Sequence, residues 1–162
     1  MTKLRALCVA AAMFVVAGAA QAQTVVKHIQ TEKGNIASGV WVGDIFYLSG
    51  QTASPVTPAD KEKGIAADFG DTPTQAASVF SKIQKLLQEQ GLDMKDVVKM
   101  TVFMAADPKT GKMDFAGMNS EYVKFFGTKD QPNKPARSAI QVAALASPAA
   151  LLEIEVIAVK SK

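Results

Sequence analysis

The 162-residue chain has one cysteine, one histidine and one tryptophan, and only two of its 18 basic residues are arginine. Cys8 lies in an N-terminal apolar stretch, so everything after it is thiol-free, which excludes structural disulfides, thiol catalysis and cysteine-based zinc or redox sites. His28 has no acidic neighbour in sequence to orient it and reads as a surface residue, so Ser-His-Asp chemistry lacks positional support. No cluster of His, Cys, Asp and Glu stands at metal-ligand spacing, and no glycine-rich phosphate loop follows a strand. The chain is therefore expected to use neither a metal nor a nucleotide cofactor. No period of 20 to 50 residues repeats and no Gly/Ser linker divides the chain, which points to a single domain.

At the N-terminus Lys3 and Arg5 precede an apolar run, Leu7 to Ala20, that ends in Ala20-Gln21-Ala22. A positive flank, an apolar stretch and a small-x-small end are the layout of a secretory signal peptide. Residues 1–22 are therefore expected to be cleaved after Ala22, leaving 23–162 as one domain in the periplasm or outside the cell, with no membrane partner. The apolar run, about 14 residues, falls short of the roughly 20 needed to span a bilayer. Arg5-Ala6-Leu7 before Cys8 does not fit a lipid-attachment sequence. Removing the segment takes two cations and no acids, so the rest is almost neutral, with 16 cations against 15 acids. Its basic residues are then lysines and a single arginine, Arg137. That imbalance matters because only arginine grips a carboxylate at two points.

The remaining pattern reads as strand-strand-helix-strand-helix-strand-strand. Val40-Trp41-Val42 and Ile45-Phe46-Tyr47-Leu48 flank Gly43-Asp44 as a hairpin, closed by Ser49-Gly50. The polar stretch from Gln51 to Asp71, with Pro55, Pro58, Gly64 and Gly70, reads as a long loop. A helix follows, with Thr72 as cap, Pro73 in the first position and Gln75 completing a capping box. Ala76, Val79, Ile83, Leu86 and Leu87 form its apolar face and Gly91 its end. Val98, Met100, Val102 and Met104 alternate with polar or opposite-facing residues as a strand. Asp107 to Met113 reads as a loop. Phe115, Met118, Tyr122, Phe125 and Phe126 recur at helical spacing before Gly127. Ser138–Leu145 and Leu151–Val159 complete the set as two strands joined by a turn at Ser147-Pro148. The result is an α+β sandwich with two helices on one face of a mixed sheet. Strands such as Val156–Val159 are apolar on both sides, so the uncovered face calls for a second copy of the chain.

The densest chemistry lies near the C-terminus. Pro135-Ala136-Arg137-Ser138 enters one strand, and the next carries Glu153 and Glu155 on a common face, because strand side chains alternate with period two. If those strands pair, Arg137 faces a carboxylate. The arrangement is then either a cross-strand salt bridge or a pocket in which Arg137 binds a substrate carboxylate and Glu153 handles a proton or a water. Lys124, Lys129 and Lys134 make a loose basic stretch, but with so small a net charge they read as a solvated face, and nucleic acid is not expected as a partner.

Four segments in consistent order resemble one family: Gly43–Gln51, Asn119-Ser120-Glu121-Tyr122 with Phe125-Phe126, Pro135-Ala136-Arg137-Ser138, and Leu152–Val159. The chain is similar to the RidA (YjgF) family of enamine/imine deaminases. That resemblance implies a chorismate-mutase-like α+β fold, a homotrimer with sites in the clefts between subunits, and no cofactor. It also implies that Arg137 holds the carboxylate of a 2-imino acid and that Glu153 positions the attacking water. Asn119 would line the site, and backbone groups around Ser49 and Gly50 would complete it. The products would be a 2-oxo acid and ammonia.

Two departures from the family pattern bear on the cleft. Gly34-Asn35-Ile36 stands where a Gly-Pro-Tyr segment is usual, leaving Tyr47 as the nearest phenol in sequence, and Ala139 stands where cysteine is frequent. The loops 51–71 and 107–113 are also longer than usual. These features keep open a second reading, a non-catalytic trimer that binds small carboxylates or acts like a chaperone. An endoribonuclease activity claimed for relatives is disfavoured by the near-neutral charge and the export signal.

Overall fold

A computed structural model describes residues 23–161, so the predicted signal peptide, residues 1–22, lies outside the described residues. The elements run β1 Val26–Ile29, β2 Gly39–Val42, β3 Ile45–Thr52, α1 Thr72–Glu89, a 3-10 turn Met94–Asp96, β4 Val97–Met104, α2 Phe115–Phe125, β5 Ala136–Gln141 and β6 Leu152–Val159. All strands join one sheet in the order β1-β2-β3-β6-β4-β5. Every pairing is antiparallel except β4 with β5, which is parallel. This is the expected mixed sheet with both helices on one face.

Alternation along the strands builds the core. Met100, Val102 and Met104 of β4 and Leu152, Ile154, Val156 and Ala158 of β6 point to the helix side and are buried. Ala76, Val79, Phe80, Ile83 and Leu87 of α1 meet them, and full burial of such side chains stabilises by about 1.5–3 kcal/mol each. The intervening residues Thr101, Phe103, Glu153, Glu155 and Ile157 point to the other face, which no helix covers.

Several sequence expectations are corrected. β1 was not foreseen; it is a four-residue edge strand, largely exposed, whose Val26-Lys27-His28 carries too little apolar pattern to announce itself. His28 is exposed there. Val98 does not belong to the buried row. A bulge between Val97 and Lys99 turns it outward, and Val97 takes the core position. The 51–71 segment is not featureless: β3 continues to Thr52, and bridges Thr57–Asp68 and Asp60–Ile65 fold the rest into a small hairpin-like excursion.

Asp71, not Thr72, caps α1, its carboxylate accepting from the Thr74 N–H at 3.1 Å and the Thr74 hydroxyl at 2.6 Å. Gln75 forms no capping box. It is buried and clamps the loop before β6, donating to the Gly70 and Ala149 carbonyls and accepting from the Leu151 N–H at 2.9 Å. The left-handed Gly91 and Gly127, at φ 74° and 71°, end the two helices as read, a conformation open to glycine at no steric cost.

The largest correction concerns the last two strands. β5 ends at Gln141, and β5 and β6 do not pair, because β4 lies between them. Residues 142–151 are a crossing connection rather than a hairpin turn. The parallel β4–β5 pairing requires α2 as its crossover, which is why a helix precedes β5.

Candidate active site

The sheet presents two separate groups of the expected site residues. The first surrounds Arg137. Its register partner on β4 is the buried Met100, so its side chain rises on the helix face, against α2. There Phe115, Met118, Asn119 and Tyr122 recur at positions i, i+3, i+4 and i+7 and form one stripe. The guanidinium lies over the Tyr122 ring, 3.9 Å from its centroid, and 5.6 Å from that of Phe115. One Nη donates to Asn119 Oδ1 at 2.9 Å and the other approaches Met118 Sδ at 4.0 Å. Asn119, expected from the resemblance to line the site, lies against Arg137.

Among the described residues no carboxylate pairs with Arg137, and the only ion pairs are Lys63–Asp60 and Lys124–Glu121. A half-buried guanidinium has five N–H donors, and an anion is the partner whose chemistry suits them. Burial pushes the Tyr122 phenol above its ordinary value of 10.0, with the Arg137 charge pulling the other way, so the ring beneath the cation is neutral.

The second group surrounds Glu153 on the opposite, helix-free face. Its register partners are Thr52 of β3 and Phe103 of β4, and Phe103 in turn is paired with Ile140 of β5. β3 carries one extra residue between Leu48 and Gln51, a bulge that breaks the ladder with β6 at Ser49-Gly50, where the Ser49 N–H donates to the Ser38 carbonyl at 3.0 Å and the Ser49 carbonyl accepts from the Gln51 side chain at 2.9 Å. A side chain at position 50 would overlap the Glu153 carboxylate, so the absence of one lets the glutamate lie against the backbone. The Ser49 hydroxyl donates to the Ala37 carbonyl at 2.7 Å, tying the 30–38 segment to the bulge. Ser49, Tyr47, Lys99, Thr101 and Glu155 also line a cavity of about 400 Å³ on this face.

The prediction that Arg137 would face Glu153 or Glu155 across paired strands is thus overturned. Their strands are not neighbours, and their side chains leave opposite faces of the sheet. Neither a cross-strand salt bridge nor a pocket holding Arg137 and Glu153 exists within one protomer. What is brought together is Arg137 with Asn119, and Glu153 with Gly50 and Ser49. Sequence reading missed Tyr122 and Phe115 as neighbours of the guanidinium, having placed both in an apolar stripe. The available signal was Asn119, whose polar side chain stands inside that stripe.

Of the family departures, Ile36 is 74% exposed and Ala139 packs against the core. Among the described residues no three His, Asp or Glu side chains converge as metal ligands, and no helix is long and apolar enough to cross a membrane.

A six-stranded mixed sheet backed on one face by two helices is the chorismate-mutase-like fold. The family described as Endoribonuclease L-PSP matches residues 16–160. A RutC family protein of Haemophilus influenzae is 38% identical over 137 residues, covering 82% of this chain and 95% of that one. A 2-iminobutanoate/2-iminopropanoate deaminase of Salmonella typhimurium is 34% identical over 134 residues, covering 83% and 98%. Among solved structures, a YjgF-family protein of Neisseria meningitidis superposes with a TM-score of 0.63 over 86% of this chain and 98% of that one, at 23% identity. The chain belongs to the RidA/YjgF family.

Proposed function

We propose that the chain is an exported deaminase that hydrolyses 2-imino acids and their 2-enamino tautomers to 2-oxo acids and ammonia, without a cofactor, in clefts between the protomers of a homotrimer. The observation that carries this reading is Arg137, a half-buried guanidinium held by Asn119 with no carboxylate partner of its own. The Salmonella typhimurium relative supplies the reaction type by its name. The signal-peptide layout of residues 1–22 supports export.

The chemistry asks little of the protein. A protonated imine is already electrophilic, so the task is to orient it, bring a water to its carbon and move protons. Arg137 would hold the substrate carboxylate by two N–H donors. Glu153 would accept a proton from the attacking water, forming a carbon–oxygen bond and a tetrahedral amino alcohol. Returned to nitrogen, that proton makes ammonia the leaving group as the carbonyl forms. The balance is R–C(=NH2+)–COO⁻ plus water giving R–CO–COO⁻ plus ammonium. With Arg137 and Glu153 on opposite faces of one sheet, a single substrate meets both only if two copies contribute, which supports an intersubunit cleft.

Purified protein lacking residues 1–22 is expected to accelerate the loss of iminopropionate generated by an amino-acid oxidase, and Arg137→Ala to abolish the effect. Equal rates with and without the protein contradict the reading. A second reading, a non-catalytic carboxylate-binding or chaperone-like trimer, is favoured by Ile36, which brings no hydroxyl. Calorimetric binding of a 2-oxo acid with no turnover would select it. RNA cleavage is disfavoured further by the Lys124–Glu121 pair at 2.7 Å, which neutralises part of the loose basic stretch.

A further inference from the structure

We infer that Tyr122 is a positioning residue for Arg137, acting through the face of its ring rather than its hydroxyl. The inference rests on the reading of Arg137 as the carboxylate anchor and concerns what aims it.

An arginine side chain loses rotamer freedom when fixed, and a two-point grip needs the plane of the guanidinium set as well as its location. The Asn119 hydrogen bond fixes one corner only. The Met118 sulfur, at 4.0 Å, is a weak second contact. The plane is set by what lies beneath it, and that is Tyr122, 3.9 Å from the guanidinium carbon to the ring centroid. A cation at that distance is held by the negative face of the ring, more strongly where water is displaced. Phe115, whose ring centroid is 5.6 Å away and which is more exposed, is the weaker of the two aromatic contacts.

The Tyr122 ring is itself immobilised from behind. Phe126 stacks on it at 4.9 Å with a 21° interplanar angle, and Phe80 meets it edge-on at 6.2 Å. Tyr122 is only 8% exposed. Core packing is thus transmitted through one ring to the orientation of the guanidinium. The orientation is built before any ligand arrives, and preorganisation of this kind lowers the cost of binding.

The test compares Tyr122→Phe, Tyr122→Leu and Phe46→Leu. The last loses core packing on β3, which β6 and β4 separate from β5, at a ring that meets Trp41 and not Tyr122. Tyr122→Leu is expected to raise KM for iminopropionate, and the Kd for 2-oxobutanoate by calorimetry, by about tenfold, with kcat within about twofold; Tyr122→Phe keeps both within about twofold. Phe46→Leu is expected to lower Tm yet leave KM in place. An independent readout comes from the scarcity of arginine: the full chain gives only two Nε–H resonances, from Arg5 and Arg137, and loss of the stacked ring shifts the Arg137 signal downfield. Unchanged KM and an unmoved Arg137 resonance in Tyr122→Leu overturn the inference, as does an equal KM increase in Phe46→Leu. If the wild type binds no 2-oxo acid, or Arg137→Ala binds it as well, the failure lies in the proposed function itself. Should Tyr122→Leu not fold, Tyr122→Phe and the resonance shift under 2-oxobutanoate still decide. A Phe variant with tenfold weaker binding assigns the role to the hydroxyl and overturns the claim for the ring.

Discussion

Arg137 and Glu153 leave opposite faces of one sheet, on strands β5 and β6 that are separated by β4. The arginine lies against an aromatic and amide stripe on α2, and the glutamate against the β3 bulge at Gly50. One copy of the chain therefore does not bring the two together. The proposed chemistry requires that they meet across an interface.

Arg137→Ala is expected to lower kcat/KM at least about a hundredfold, since each of two charge-assisted hydrogen bonds contributes about 1.5–3 kcal/mol. Arg137→Lys should lose nearly as much, because a point charge cannot reproduce the planar two-point grip. Steady-state kinetics on oxidase-generated iminopropionate check both. Near-wild-type activity in the lysine variant would show that charge alone suffices.

Glu153→Gln preserves shape and removes the proton acceptor. Its kcat should fall by about 10²–10⁴-fold, the usual contribution of a positioned base, with KM little changed. A KM increase at constant kcat would instead make Glu153 a binding group.

At Gly50 the expected damage comes from a methyl group. Gly50→Ala places a carbon where the Glu153 carboxylate lies, so the carboxylate must move while the strand stays. Activity should drop toward the Glu153→Gln level with Tm nearly unaltered. An alanine variant of full activity would remove Glu153 from its assigned place.

Stability in acid carries a separate signature. Hydrogen bonds from the Thr74 side chain and backbone hold the Asp71 carboxyl below its ordinary value of 3.8. A carboxyl depressed on folding stabilises above its unfolded value and loses that contribution as pH falls through the lower, folded one. Asp71→Ala, which removes the α1 cap, should cost about 1 kcal/mol near neutrality. Denaturation curves of the two proteins should converge as pH falls below 3.8 and through the lower, folded value. A constant difference down to that pH would mean the capping charge plays no part.

Helices and most strands were legible in the sequence because their apolar periodicity is strong: Val79, Ile83 and Leu87 on α1, or Met100, Val102 and Met104 on β4. What escaped was decided by contacts distant in sequence. β1 forms only because β2 offers it an edge, and Val98 turns outward because of a bulge against Ala158 and Ile157. The adjacency of β5 and β6 was inferred from their nearness in sequence, whereas the parallel pairing with β4 intervenes. Individual site residues could be named, since Arg137 is alone among lysines and Asn119 interrupts an apolar stripe. Their division between two faces could not, because it follows from strand order. Tyr122 was hidden for a related reason: a ring that packs a core on one side and a guanidinium on the other has the spacing of a core residue.

The central claim, that one site draws Arg137 and Glu153 from different protomers, is tested most directly by complementation. Arg137→Ala and Glu153→Gln proteins, each confirmed as trimers and each inactive, are denatured together in equal amounts and refolded. Random assembly then creates clefts with Arg137 from one subunit and Glu153 from another, and activity should return to roughly a quarter of the wild-type value. A mixture as inactive as its two parents, although mixed trimers have formed, would contradict the account.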